Sequence, residues 1–302
     1  MIETGNPECS PVIKTTWKKS VSGLDQRYIE YFFRNIYQPE FGFALMEGDK
    51  APAALFRIPH VMMFNGRAIK VSMLSGISEL PEKRREEPLG KLLDVVLDAC
   101  EHTELITLAE ENELLKPYGF ETVYRRAVYK LTRDTIKRIT NFGCAYDPSP
   151  LDMLKVYSSF IRRFNGFYAR EIQDFVQLKK EIAARGGKVV AFYNSKNQIQ
   201  GYATILLTGN EAIVEECVYM NSVALAKLVN AALQERITVH MHVTDAEDLH
   251  VLYPEAERVE YGAVMARLNA PDLFSRLFSQ QITTAHEAFA MSYKPLFLNE
   301  RY

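Results

Sequence analysis

Apolar positions along this chain switch between two periods, and each switch marks an element. Leu24, Tyr28, Ile29, Phe32, Phe33 and Ile36 recur at helical spacing behind a cap region at Asp25, which predicts an amphipathic helix soon after Trp17. Residues 43–46, 53–58 and 60–64 then read as three strands, with turns at Gly48 and Asp49 and around Pro59. Asn65 and Gly66 between apolar runs give the strongest hairpin signal in the chain and lead into a central strand over 69–80. Pro81 cannot continue that strand's hydrogen bonding. After a charged loop, Pro88 suits a first helical position, and Leu89, Leu92, Leu93, Val96 and Leu97 follow at helical spacing. Residues 105–109 predict a strand, 111–116 a short helix, and 120–131 a strand that closes the unit.

Asp147, Pro148, Ser149 and Pro150 then form a linker that ends in a helix start. Helices are predicted over 151–164 and 172–182, and Gly186 and Gly187 break the pattern. Strands follow at 189–193, 199–207 and 212–220, a helix at 223–233, and strands at 237–243 and 259–268. This repeats the first element order without its sequence, which implies a tandem duplication. The expected fold class is α/β, of the mixed α+β kind, in two units covering 1–146 and 147–268. The tail, 269–302, carries Phe289, Met291, Leu296 and Phe297 and is apolar enough to pack back on the body, toward the active site.

Composition narrows the partners. The chain has 302 residues, 47% of them hydrophobic, which is ample for a buried core. A formal charge of −2 without a long basic run argues against nucleic acid, since Lys83, Arg84 and Arg85 are cancelled at once by Glu86 and Glu87. With no signal segment and no apolar run near ~18 residues, no membrane partner is expected and the location is cytoplasmic. Cys9, Cys100, Cys144 and Cys217 are scattered and read as reduced thiols. His240, His242, Asp245, Asp248 and His250 lack a third ligand at fixed spacing, so no metal is expected.

The stretch 71–98, VSMLSGISELPEKRREEPLGKLLDVVLD, is a strand, a charged loop and a helix. A strand feeding a helix this way aims free amides and a positive dipole at one point, the geometry that holds an anion, most often phosphate. It resembles the acyl-CoA motif of the GNAT acetyltransferase superfamily, in which Arg or Gln is followed by x-x-Gly-x-Gly/Ala. LITLAEENELLKPYGFETVY (105–124) resembles the next strand, helix and Gly-Phe strand of that fold. TTWKKSVSGLDQRYIEYFFRNIY (15–37) is similar to the N-terminus of a bacterial branch related to the enhanced intracellular survival acetyltransferases, which RRFNG (162–166), GYAT (201–204) and MARL (265–268) also match. The match has a defect. Counting from Arg84, the family glycines fall at Glu87 and Leu89; counting from Arg85, they fall at Pro88 and Gly90. Glycine serves there because it admits the phosphate without a Cβ, and Glu86 and Glu87 bring carboxylates to the same helix start.

The resemblance implies two tandem GNAT-like units. The first would use acetyl-CoA as cosubstrate to acetylate a small-molecule or peptide amine, and the second, which has no such loop, would be degenerate; a homo-oligomer is compatible with this. Arg84, Arg85, Glu86, Leu89 and Gly90 would hold the pyrophosphate. The main chain around Gly76, Ile77 and Ser78 would polarise the thioester carbonyl. Asn112 matches a family asparagine beside the pantetheine and equally suits a helix cap. The family's acid is a tyrosine, but its positions here are Leu115 and Phe120, so Tyr118 is the nearest phenol, with a packed tyrosine as the plainer role. The branch also uses its C-terminal carboxylate as base, which would be that of Tyr302; a frayed terminus is the alternative. The lost glycine, the two glutamates and the missing tyrosine favour a second reading, a catalytically silent protein that binds a metabolite or partner in the cleft between the units.

Overall fold

The computed structural model describes residues 1–20, 26–137 and 139–300, with the backbone alone at 84–86. The chain divides into two compact units. The first is built mainly of Met1–Val123 and Ala263–Ser292, the second of Tyr124–Gly262 and Tyr293–Asn299.

The first unit opens with β1 (Ile2–Thr4), α1 (Ser10–Ser20) and α2 (Gln26–Asn35). The sheet follows with β2 (Gly42–Glu47), β3 (Lys50–Phe64), β4 (Arg67–Glu79), then α3 (Pro88–Asp98) and β5 (Leu105–Leu108). β1 to β4 pair antiparallel in sequence order, and β4 pairs parallel with β5. Asn65 and Gly66, with φ of 44° and 76°, make the expected hairpin, because both central residues of this turn need positive φ. Pro59, by contrast, makes no turn. It sits inside β3 opposite Ser72, past Phe56, the last β3 residue paired with β2, so its missing N–H breaks no β2 bond.

Each face of this sheet has its own core. Trp17, Tyr28 and Phe32 from α1 and α2 surround Phe56 on one side, with the rings of Trp17 and Phe56 5.2 Å apart. Leu89, Leu92, Leu93 and Val96 of α3 cover Phe43, Leu55 and Ile106 on the other. The cap expected at Asp25 lies outside the described residues. α1 and α2 are also joined by Glu30, which takes Lys14 and Lys18 at 2.6 Å each and whose carboxyl those two hydrogen bonds bring down to about 2. A carboxyl depressed on folding adds stability above its unfolded value that is lost as pH falls through the folded one. Glu30→Gln should therefore flatten the pH dependence of Tm between about pH 4.5 and 2 relative to wild type, as read by differential scanning calorimetry.

β6 (Glu121–Thr132) leads on, and from Tyr124 it counts with the second unit. That unit contains β7 (Cys144–Tyr146), α4 (Pro150–Phe160), β8 (Phe167–Tyr168), α5 (Ile172–Ala184), β9 (Lys188–Tyr193), β10 (Ile199–Thr208), β11 (Glu211–Tyr219), α6 (Ser222–Glu235) and β12 (Thr238–Thr244). Its sheet order is β7-β9-β10-β11-β12-β6, with β11 and β12 parallel as β4 and β5 are. α4 and α5 cover one face around Phe175 and Tyr202, and α6 covers the other around Leu228 and Met241. The second unit thus repeats the element order of the first, with the short β8 added between its first two helices. β13 (Glu257–Leu268) ends the run, and from Ala263 it counts with the first unit, together with α7 (Pro271–Phe278) and α8 (Ala285–Ala290).

The closing strands differ from expectation. Met265–Leu268 lie antiparallel to Leu105–Leu108, and Arg126–Thr132 lie antiparallel to Thr238–Thr244. The strand predicted to close the first unit is paired in the second, and the last strand of the second half is paired in the first. Alternation identifies a strand and its faces but not its partner. In the tail, Phe274, Phe278 and Phe289 surround Phe64 at the hairpin end of β3, with ring separations of 6.3, 5.8 and 5.4 Å.

Candidate active site

The ladder between β4 and β5 stops at Leu74 opposite Leu108, while β4 runs on to Glu79. At the same point β4 bulges away from β3. Ser75 faces Phe56 and Ser78 faces Ala54, so Gly76 and Ile77 together oppose the single Leu55. Gly76 makes the bulge, with φ of +56° and a position where a Cβ would come within 2.5 Å of the Phe56 ring. The result is an opening beside β4. A cavity of about 480 Å³ fills it, lined by Ser20, Ile77, Ser78, Glu79, Leu89, Asn112 and Leu114. That is the size of a small-molecule pocket.

The start of α3 borders this cavity. Pro88 takes the first helical position and has no N–H to offer. Leu89 N–H, the first free amide, donates to Glu79 Oε1 at 3.4 Å. Glu87 before it is exposed and left-handed, φ 50° and ψ 47°, a backbone that glycine adopts far more readily. One of the two registers for the family motif puts a glycine at this residue. Lys83 is drawn to Glu47 at 3.1 Å. The side chains of Arg84, Arg85 and Glu86 lie outside the described residues; their backbone forms the 3₁₀ turn Pro81–Glu86.

Four of the expected residues, Ile77, Ser78, Leu89 and Asn112, line the one cavity. Ser78 is buried and its hydroxyl donates to Ala54 O at 3.0 Å, so its side chain is committed to β3. Asn112 caps the 3₁₀ turn Glu113–Tyr118 by accepting from Leu114 N at 3.1 Å while still facing the cavity. Tyr118 lies on the flank of α3. A Cβ at Gly90 would come within 2.8 Å of its hydroxyl, so Gly90 makes room for this ring. Partial burial, then Asp94 and Glu87, push the Tyr118 hydroxyl above its ordinary range. Tyr302 lies outside the described residues. Sequence reasoning missed Glu79, whose only signal was a carboxylate at the end of the strand.

The second unit carries the same bulge with different contents. Cys217 faces Ala203 and Val214 faces Ile205, which leaves Glu215 and Glu216 opposite Thr204. The β11–β12 ladder stops there too, at Val214 opposite Met241. Here the chain fills the opening itself. Arg126, 2% exposed, reaches in from β6 and donates through Nη2 to Glu215 O at 2.6 Å and His242 O at 3.1 Å, one carbonyl from each parted strand. Thr204 Oγ1 accepts from Glu216 N at 3.1 Å. In the first unit the residue opposite the bulge is Leu55, which has no hydroxyl to give. Glu216 is held by both Arg170 nitrogens at 2.9 Å and by Tyr202 Oη at 2.6 Å. Burial alone would raise its carboxyl, but the Arg170 charge and these bonds bring it below the usual range. Cys217 stays a thiol, pushed well up by burial and then by Glu247 and Glu216. His240 pairs with Glu211, His242 with Tyr261 and His250 with Asp248, and among the described residues no three His, Cys, Asp or Glu side chains gather as a metal set would.

At the level of sequence, no protein-family model and no curated protein matches this chain. Solved structures do match the fold. A GCN5-related N-acetyltransferase from Kribbella flavida has a TM-score of 0.68 at 15% identity, over 90% of this chain and 71% of its own. Eis1 from Mycobacterium abscessus has a TM-score of 0.65 at 14% identity, over 91% and 75%. A tandem GNAT protein from the clavulanic acid biosynthesis pathway has a TM-score of 0.58 at 10% identity, over 90% and 100%. Among the described residues no helix is long and apolar enough to cross a membrane. The fold of this chain is the tandem GNAT fold.

Proposed function

We propose that the first unit is an acetyl-CoA-dependent N-acetyltransferase acting on a small-molecule or peptide amine in the cytoplasm. The observation that carries this is the opening beside β4, lined by Ile77, Ser78, Asn112 and Leu89 at the start of α3. A thioester beside the bulge would have its carbonyl polarised by main-chain N–H groups, which need no particular side chain. The pantetheine arm would pass Asn112. The phosphates would meet the Leu89 and Gly90 amides, with Arg84 and Arg85 as charged clamps beside Glu86. The amine attacks the carbonyl directly; a base takes the ammonium proton and an acid protonates the departing thiolate. Tyr118 and the Tyr302 carboxylate are the groups assigned to acid and base.

Calorimetry with acetyl-CoA tests this. Wild type should bind with a micromolar constant, and Arg84→Ala/Arg85→Ala should weaken it by roughly tenfold or more, less so at high salt. No heat at millimolar coenzyme would overturn the reading. One observation favours the silent alternative, in which the protein binds another metabolite or a partner: the Glu79 carboxylate already sits on the Leu89 amide.

A further inference from the structure

That contact has a more specific meaning within the donor reading, on which the following rests. The Leu89 N–H is the first amide α3 can offer an anion, because Pro88 has none. Glu79 comes from the last residue of β4 and takes this amide with Oε1 at 3.4 Å, while both residues still line the cavity. The carboxylate therefore stands where a donor's phosphate oxygens would be drawn, and it carries the same sign of charge. Glu87 adds a second carboxylate at the helix start, and Lys83, the nearest described cation in this turn, is held by Glu47.

We propose that Glu79 is a built-in occupant of the phosphate position, displaced when a thioester donor binds, so that it lowers the share of affinity that the nucleotide end of the donor contributes and raises the share carried by the pantetheine arm. Two like charges this close, beside a partly desolvated cavity, repel far more strongly than in bulk water. A free coenzyme must push Glu79 off the amide and into solvent. A donor without the nucleotide has no such conflict.

The experiment compares acetyl-CoA with S-acetylpantetheine, which lacks the nucleotide, by calorimetry on wild type, Glu79→Gln and Glu79→Asp. Gln keeps an acceptor for the Leu89 amide without the charge; Asp keeps the charge but shortens its reach. Glu79→Gln should bind acetyl-CoA about tenfold more tightly than wild type, Glu79→Asp should show a smaller gain, and S-acetylpantetheine should bind all three alike. Acetyl-CoA affinity that is unchanged or reduced in both variants, with binding to wild type intact, overturns the role of Glu79 and leaves the donor site standing. If one variant does not fold, the other decides the same comparison. Absence of binding by either compound to any of the three proteins overturns the donor reading and this proposal with it.

Discussion

A fragment that ends at residue 146 is expected not to fold alone. It contains β1 to β5 but lacks Met265–Leu268, the strand that pairs with Leu105–Leu108. Leu105, Ile106 and Leu108 are each at most 3% exposed in the intact chain, so their strand would become a bare apolar edge. The fragment also loses Asn269, whose side chain donates to Cys100 O at 2.6 Å, and the three phenylalanines that surround Phe64. Residues 147–302 alone face the same problem, since Thr238–Thr244 lose Arg126–Thr132. Trp17 makes the test clean: it is the chain's one tryptophan and is 3% exposed in the first unit's core. Fragment 1–146 should show unfolded-like tryptophan emission and no cooperative urea transition. A fusion of Met1–Val123 through a flexible linker to Ala263–Ser292 should recover both. A cooperative native transition in 1–146 would show that the borrowed strand is dispensable.

This dependence was not legible in the sequence, and the reason is physical. Residues 120–131 and 259–268 are both alternating apolar runs, and alternation fixes which face a residue takes without naming the neighbouring strand. What the chain does declare locally was readable. Asn65 and Gly66 demand a primed turn, and Pro88 with its leucine spacing demands a helix start, because each depends on a few adjacent residues. Pro59 departs from its expected turn for the converse reason, since a proline ends a strand only where its N–H is needed.

The candidate site divides in the same way. Gly76 and Ile77 are placed beside a parting strand by the family resemblance, and the bulge that parts it rests on a pairing with β3 that the stretch itself does not show. Ile77, Ser78, Leu89 and Asn112 do converge on one cavity, although they come from three separate elements. Glu79 was overlooked because a carboxylate at the end of a strand ordinarily faces water, and only the return of α3 brings an amide to it. The motif makes Gly90 a coenzyme residue, and its missing Cβ also makes room for Tyr118. One residue can satisfy a motif and a packing contact together, and sequence distinguishes the two poorly.

Arg126→Met should strongly destabilise the second unit. Nothing in the local sequence singles out this arginine, which reads as one more charge on an alternating strand. In the structure it is among the largest fully buried side chains, and it bridges the carbonyls of Glu215 and His242 where β11 and β12 part. Methionine fits the stem's path but donates to neither oxygen, so two buried acceptors lose their partner at about 1–3 kcal/mol each. The loss also removes a positive charge that favours the ionised forms of Glu216 and Glu247. Removing one member of a buried charged network typically costs about 3–5 kcal/mol, on the order of 10 °C in Tm for a unit of this size. Differential scanning calorimetry of the whole chain would measure it. Arg126→Lys keeps the charge and a donor but is shorter and carries a more strongly hydrated ammonium, so it should recover only part of the loss. A methionine variant that melts with wild type would mean the opening tolerates an apolar plug.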